Sequence, residues 1–172
     1  MIDTILSRRS IRRFQECPVE RDVLQMILRA AMQAPSAKNE RPWEFLIVQE
    51  RKMLQTLSCT DPYAGSVKNA PLAIILLCNR EKYLKEDDTF WQQDMAAAAE
   101  NLLLAAHGYG LGAVWLAIAP LQERIDFVAR ALGLPIGVVP FAMIPVGYPL
   151  REKAVEERYD AGRVYHERYP MG

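Results

Sequence analysis

Four arginines lie within six residues near the amino terminus, and a serine stands among them. They are Arg8, Arg9, Arg12 and Arg13, with Ser10 in the middle. Guanidinium groups present forked N–H donors and the hydroxyl adds another, a set that suits a doubly charged phosphate better than a carboxylate. The alternative is a helix end whose solvated cations interact with the negative end of the helix dipole. The cluster alone leaves both interpretations open.

The loop of residues 34–43 is a second candidate, because it combines a rigid proline with a hydroxyl and an amide. Pro35, Ser36 and Asn39 could together contact a flat ring and a polyol. A plain turn is the alternative, since these residue types favour loops for conformational reasons alone. His107, beside a glycine near a helix end, is more typical of a capping or packing residue than of a general base.

The apolar pattern around these segments predicts helices that alternate with strands. A short helix begins near Asp3, and a second helix follows Pro18 and ends before Pro35. Asp87 and Asp88 supply cap residues for a long helix that ends at the glycines following residue 107. Strands are expected at residues 43–48, 72–78, 113–119 and 138–146, with shorter helices starting near residues 51 and 120.

Alternating strands and helices predict an α+β fold, an α/β sandwich, and a chain of 172 residues can bury one sizeable core. We therefore expect a single domain over residues 1–172. The tail from Arg151 carries tyrosines and charges but no apolar pattern that would give it a place in this core. It is expected to pack on another chain.

Composition excludes several classes of function. Lysine plus arginine and aspartate plus glutamate both number 21, so no overall charge recruits nucleic acid or an acidic membrane. Three cysteines without metal-like spacing suit a reducing compartment, by default the cytoplasm. Arginines precede any long apolar run, so no cleavable leader is expected. The apolar stretches at residues 102–121 and 131–150 are interrupted by glycines or prolines, which favours core over membrane segments.

The order of the motifs resembles the flavin mononucleotide (FMN) dependent nitroreductase family. Arg-Arg-Ser-Ile-Arg-Arg-Phe comes first, Ala-Pro-Ser-Ala-Lys-Asn before Pro-Trp-Glu-Phe comes second, and Gly-Leu-Gly-Ala-Val-Trp comes third. Pro-Val-Gly-Tyr-Pro, ahead of Arg158, resembles the family's carboxy-terminal portion. The resemblance spans nearly the whole chain. It implies a nitroreductase-like fold, in which helices flank a central, mostly antiparallel sheet.

The resemblance also assigns roles to the arginine cluster. Arg8, Arg9 and Ser10 would hold the FMN phosphate and the neighbouring polyol. Arg158 would add a phosphate donor from the tail. Arg12 would lie beside the pyrimidine edge of the isoalloxazine, where a cation raises the reduction potential of the flavin.

Two further segments complete the site that the resemblance implies. Ile118 and Ala119 would run past the central nitrogen and adjacent carbonyl of the flavin, where a backbone N–H can donate a hydrogen bond. Pro120 has no N–H to donate there. A loop would reach the flavin from the partner subunit through Pro35, Ser36, Ala37 and Asn39. The expected assembly is a homodimer with FMN sites at the subunit interface.

The implied activity is NAD(P)H-dependent reduction of nitroaromatics, quinones or similar electron-poor acceptors by a ping-pong mechanism. The hard chemistry would belong to the flavin, so no catalytic acid, base or metal is expected in the protein. Other flavin chemistry, such as flavin reduction, is the first alternative. A non-enzymatic flavin-binding protein is the second, and neutral net charge disfavours a nucleic-acid binder.

Overall fold

A computed structural model describes residues 1–84 and 89–170. Its helices are α1 (Ile2–Ser7), α2 (Arg21–Ala31), α3 (Arg51–Leu57), α4 (Arg80–Tyr83), α5 (Trp91–Gly108) and α6 (Gln122–Leu132). Its strands are β1 (Trp43–Val48), β2 (Leu72–Asn79), β3 (Gly112–Ala113), β4 (Leu116–Ala117) and β5 (Val138–Gly147). Short 3₁₀ turns cover Ala37–Asn39, Ala64–Asn69 and Ala161–Arg163. Apart from the division of residues 113–119 and the short helix α4, which was not predicted, the elements follow the predicted order.

The five strands form one sheet in the order β1-β2-β5-β3, with β4 also paired to β5. Every pair of these strands is antiparallel. All but the last residue of β2 are buried, because helices cover both faces of the sheet. The predicted α+β class with a mostly antiparallel sheet is confirmed.

Alternate residues of β2 enter two separate apolar cores. Ile74 and Leu76 pack with residues of α2 and α5, whereas Ile75 packs with residues of α3 and α6. This division follows from the alternation of side chains along a strand. The sheet is therefore the middle layer of a helix–sheet–helix sandwich.

Prolines explain two irregularities in the sheet. The predicted strand 113–119 divides into β3 and β4, which keep the same register against β5. That register places Val114 opposite Pro145, and a proline has no N–H for the ladder. The register of β2 and β5 shifts by one residue at Phe141, immediately after Pro140. Phe141 is thus an extra, bulged residue, and proline is tolerated at such positions.

Several helix starts differ from the predictions. Asp3 lies in the first turn of α1, and the cap position belongs to Met1. The predicted caps Asp87 and Asp88 lie outside the described residues, and α5 follows Phe90 without a side-chain cap. Within residues 1–84 and 89–170, no helix has both the length and the apolar character needed to cross a membrane.

Candidate functional site

The arginine cluster lies on an extended segment beyond the end of α1. Arg8 follows the helix with φ −55° and ψ 135°. Ser10 then forms a parallel bridge with Ala113, and Phe14 forms an antiparallel bridge with Pro149. Because side chains alternate along extended backbone, we infer that Arg8, Ser10 and Arg12 lie on one side, and that Arg9 and Ile11, which line a common pocket, lie on the other. The helix-end interpretation therefore does not describe the cluster.

A close backbone approach fixes this alternation. The backbone N–H of Ile11 donates to the carbonyl of Ala113 at 2.9 Å, and the Ile11 side chain is buried. A Cβ atom added to Gly112 would lie 2.6 Å from the Ile11 Cβ atom, so a larger residue does not fit there without a shift. Packing of Ile11 into the fold thus determines which side each neighbour occupies.

The first side presents donors that are available to an anion. Nε of Arg8 donates to Oε1 of Glu100 on α5 at 3.1 Å. Among residues 1–84 and 89–170, the terminal nitrogens of Arg8, the hydroxyl of Ser10 and the guanidinium of Arg12 have no hydrogen-bond partner. Glu100 therefore orients Arg8 through Nε while leaving its terminal fork available.

On the opposite side, Arg9 is engaged with backbone carbonyls. Its Nη1 donates to the carbonyls of Leu6 at 3.1 Å and Arg8 at 2.7 Å. Its Nε donates to the carbonyl of Ala154 at 3.1 Å, and its Nη2 to that of Glu156 at 3.0 Å. The structure therefore does not bring Arg9 to the face that carries Arg8 and Ser10.

The loop that contains Pro35 has a locked conformation. The Ser36 hydroxyl accepts a hydrogen bond from the Arg41 N–H at 3.0 Å, and Asn39 Oδ1 accepts one from Arg41 Nε at 2.8 Å. Lys38, Asn39 and Arg41 have φ angles of 51°, 57° and 52°. Such left-handed conformations are costly for residues other than glycine, and strained backbone of this kind is found preferentially at functional sites.

Asp94 anchors the loop to the core, a role that the sequence interpretation missed. Its Oδ1 accepts a hydrogen bond from the Ala37 N–H at 2.8 Å. Asp94 is only 6% exposed, and burial raises the pKa of its carboxyl; the hydrogen bond from Ala37 opposes this rise, and the charge of Glu40 adds to it. Oδ2 of Asp94 and Oε1 of Glu40 are buried and have no hydrogen-bond partner within the described part of the chain. The signal in the sequence was one acid at the start of a long apolar helix face.

Cys78 lies next to this anchor. It stands opposite Trp43 in the sheet and is fully buried. Burial raises the pKa of its thiol to about 12, and the charges of Asp94 and Glu44 add to the rise while Arg80 opposes it. The thiol is therefore protonated at neutral pH and is a packing group rather than a nucleophile.

The backbone N–H groups of Ile118 and Ala119 already have an acceptor. Both donate to the carbonyl of Phe141, each at 3.0 Å. Phe141 is the bulged residue of β5, and its displaced carbonyl meets both groups. Because Pro120 has no N–H, residues 118–120 present no N–H without an acceptor in this conformation.

Arg158 lies in the exposed tail and makes its described contacts within the tail. All residues from 151 to 170 are exposed. Arg158 pairs with Oε2 of Glu156, through Nη2 at 3.1 Å and Nε at 3.3 Å. No described contact joins Arg158 to Arg8, Ser10 or Arg12. The structure thus holds Arg8, Ser10 and Arg12 on one short segment, and no described contact joins that segment to the Pro35 loop or to Arg158.

A polar cavity of about 950 Å³ lies beside the residues that follow Arg12, and sequence interpretation did not identify it. Arg13 lines it together with Cys17 and Lys68. Nη1 of Arg51 donates to the carbonyls of Lys68 at 2.8 Å and Ala70 at 3.2 Å, which fixes this wall of the cavity. In the described part of the chain, no group of three or more potential metal ligands is present.

Comparison with known proteins decides the family. The model described as "Nitroreductase family" matches residues 5–59 and 51–148. The chain belongs to the nitroreductase family. A Methanothermobacter thermautotrophicus relative with the provisional name NADH dehydrogenase/NAD(P)H nitroreductase is 41% identical over 169 residues, which cover 98% of this chain and 87% of the relative. This nitroreductase-family chain is therefore an oxidoreductase.

Solved structures agree with this nitroreductase assignment. A Clostridium acetobutylicum protein, provisionally described as an NADH oxidase, has a TM-score of 0.93 and 46% identity, covering 97% of this chain and 100% of that one. A Desulfovibrio desulfuricans protein, provisionally described as a nitroreductase and solved in complex with FMN, has a TM-score of 0.82 and 30% identity over 98% of this chain and 97% of that one. The predicted nitroreductase-like fold is confirmed.

Proposed function

We propose that this enzyme reduces nitroaromatics, quinones or similar electron-poor acceptors, and that NAD(P)H supplies the electrons through bound FMN. FMN with NAD(P)H is the cofactor pair of this nitroreductase-family oxidoreductase. The observation that carries the proposal is the single face on which Arg8, Ser10 and Arg12 present donors without partners. When bound, FMN supplies hydride acceptance from NAD(P)H and electron donation to the acceptor.

The donor set on this face fits the phosphate of FMN. The terminal fork of Arg8 matches a phosphate dianion, and the Ser10 hydroxyl can serve the phosphate or the polyol. Glu100 is 44% exposed in its side chain, so water screens its repulsion of the anion. Arg158 would complete the phosphate site from the tail. Arg9 was predicted to join them, but four of its five N–H groups already bind carbonyls.

Arg12 and residues 118–119 would frame the ring of the flavin. Arg12 is exposed and unpaired in the described part of the chain, so its cation is available to the electron-rich pyrimidine edge of reduced flavin. Ile118 and Ala119 would pack beside the flavin ring without donating a hydrogen bond to it, because their N–H groups already donate to the carbonyl of Phe141. The protein's part in the reaction is thus to bind, orient and tune.

The proposed assembly is a homodimer with FMN at the subunit interface. Met1 at the cap of α1 is 95% exposed, Ile2 and Leu6 within α1 are 65% and 61% exposed, and the tail adds exposed Tyr159 and Tyr169 at 74% and 76%. Exposed apolar and aromatic groups of this kind favour burial against another chain. In this proposal the Pro35–Asn39 loop reaches the flavin of the partner subunit, and residues 151–172 exchange between subunits.

The proposed cycle is ping-pong in one open cleft. NAD(P)H would bind, give up its hydride and leave before the acceptor enters the same place. Cys17, Cys59 and Cys78 are all free thiols, which supports a reducing compartment, and we place the enzyme in the cytoplasm.

An absorbance spectrum of the purified protein, taken before and after addition of NADH and then of a nitroaromatic, tests the activity. A flavin spectrum that bleaches with NADH and returns with the acceptor is expected. A colourless protein that cannot be loaded with FMN contradicts the proposal. A flavin that NAD(P)H does not reduce indicates a flavin carrier, and faster turnover with free FMN than with the nitroaromatic indicates a flavin reductase.

Arg8→Ala tests the phosphate face. Loss of a forked, charge-assisted contact should weaken FMN binding by roughly tenfold or more while riboflavin, which lacks the phosphate, binds as before. Arg21→Ala, an exposed arginine at the start of α2, is the matched control and should leave FMN affinity unchanged. Equal FMN affinity in Arg8→Ala and wild-type protein would remove Arg8 from the phosphate site.

A further inference from the structure

Arg9 joins the amino-terminal segment to the root of the tail. Two of its hydrogen bonds go to the carbonyls of Leu6 and Arg8 on its own segment, and two go to the carbonyls of Ala154 and Glu156. The Ala154 and Glu156 carbonyls are two residues apart, and in extended backbone such carbonyls project to the same side. The planar guanidinium therefore bridges two backbones with donors in a fixed geometry.

Arg158 lies two residues beyond this bridge and is tied to it through Glu156. The carbonyl of Glu156 accepts from Arg9, and its carboxylate accepts from Nη2 and Nε of Arg158. A second tie, from Nζ of Lys153 to the carbonyl of Ser10 at 2.9 Å, holds the tail on the same segment. No residue after Glu156 makes a described hydrogen bond to the body of the chain, so within residues 1–84 and 89–170 these ties set the direction in which the tail leaves.

We propose that Arg9 is a positioning residue: it clamps the tail root through the Ala154 and Glu156 carbonyls and thereby places Arg158 for the flavin phosphate. The inference rests on the proposed flavin site and divides the arginine cluster by role. Arg8 would contact the phosphate, whereas Arg9 would act on it through Arg158. Lysine cannot replace Arg9 in this role, because one ammonium group cannot span four carbonyls in the geometry of the fork.

The test compares the affinities of the protein for FMN and for riboflavin. Arg9→Ala should weaken FMN binding roughly tenfold, because the charge-assisted contacts of Arg158 are lost, and leave riboflavin binding unchanged. Arg9→Lys should behave like Arg9→Ala. In a double-mutant cycle, Arg9→Ala should add little to Arg158→Ala, since both remove the same contact. Arg163→Ala removes a tail arginine that pairs with Asp160; it is the control and should bind FMN like wild type.

Three results would overturn the clamp. FMN affinity retained in Arg9→Lys would show that Arg9 contributes charge only. Additive losses in Arg9→Ala and Arg158→Ala would show that Arg9 acts on the phosphate by itself. Equal losses of FMN and riboflavin affinity would show a general structural role.

Flavin-free protein separates failure of the clamp from failure of the proposed function. Chymotrypsin should cut after Tyr159 faster in Arg9→Ala than in wild type, because the tail root is released. Wild-type protein that binds no flavin but shows this difference would contradict the flavin site and keep the tail clamp. Unchanged cleavage in Arg9→Ala would contradict the clamp whether or not flavin binds.

Discussion

The loop of residues 35–42 and the tail of residues 151–170 are held in different ways. The loop is locked by its own hydrogen bonds and by Asp94 on α5, and it keeps three non-glycine residues in left-handed conformation. The tail is fully exposed and is tied to the chain only near its root, by Arg9 and Lys153 in the described structure. Both segments are proposed to serve a flavin site at a subunit interface.

This difference separates a preformed element from one that a partner must complete. A loop with its own anchor has already met the entropy cost of ordering before any subunit binds. A tail that is held at one end loses its conformational entropy only when it docks on the partner. We therefore expect changes in the loop to alter the stability of the chain itself. Changes in the tail should alter assembly and flavin retention.

Removal of residues 151–172 should have the largest effect among the changes that test the difference between loop and tail. It should abolish the dimer and weaken FMN binding by roughly a hundredfold or more, because Arg158 and the subunit contacts are lost together. Far-UV circular dichroism should stay close to that of wild type, since residues 151–170, the described part of the tail, contribute nothing to the buried cores. Size-exclusion chromatography and FMN titration measure the two losses. A truncated protein that remains dimeric and yellow would contradict the role given to the tail.

Asp94→Asn tests the anchor of the loop. The pKa of Asp94 is raised in the folded chain, so folding favours the protonated form, and stability should fall as pH rises from the ordinary aspartate range through the raised pKa. Asparagine can still accept from Ala37, and it carries no charge to repel Glu40. The free energy of unfolding of Asp94→Asn should therefore exceed that of wild type by about 1 kcal/mol at neutral pH.

Urea unfolding between pH 4 and 8 measures this effect, and the stability difference between Asp94→Asn and wild type should grow with pH. Asp22→Asn, an exposed acid in the first turn of α2, is the control and should leave the slope with pH unchanged. A difference that is independent of pH would show that the anchor does not titrate. Loss of stability at neutral pH would show that the carboxylate charge itself is needed.

A pair of glycine substitutions gives the smallest effect and the closest match between the two segments. Lys38 and Glu167 are both exposed and have φ angles of 51° and 62°. Lys38→Gly should raise the free energy of unfolding by about 0.5–1 kcal/mol, because glycine adopts this conformation without strain. Glu167→Gly should leave it unchanged, since the tail is not part of the cooperative core. Equal effects in thermal unfolding would contradict the distinction between loop and tail.

Strand positions were largely predictable, because apolar periodicity reports burial directly. The strand at residues 43–48 was predicted with the bounds that the structure gives it. The strand at 113–119 was predicted as one strand, but the structure divides it. The cause is Pro145, which has no N–H to donate and which lies opposite Val114 in the sheet although it is 31 residues away in sequence. Local patterns describe each segment, whereas defects in a ladder depend on both strands.

The functional residues were predictable as types but not as contacts. The arginine cluster was recognised, yet its division into two faces depends on the bridge of Ser10 with Ala113. The engagement of Ile118 and Ala119 follows from the bulge at Phe141, which no local pattern of residues 118–120 indicates. Asp94 was missed because its partner, the Ala37 N–H, belongs to the backbone.

The close packing of Ile11 on Gly112 has a consequence for how this segment can change over time. With Ile11 fixed, insertion or deletion of a single residue between Arg8 and Ile11 would exchange the two sides of the segment, because the side-chain period of extended backbone is two. After an insertion before Ser10, Arg9 would take the place of Arg8, but the inserted residue would take the place of Arg9 and its contacts with the tail would be lost. The segment should therefore accept some substitutions while excluding any change in its length.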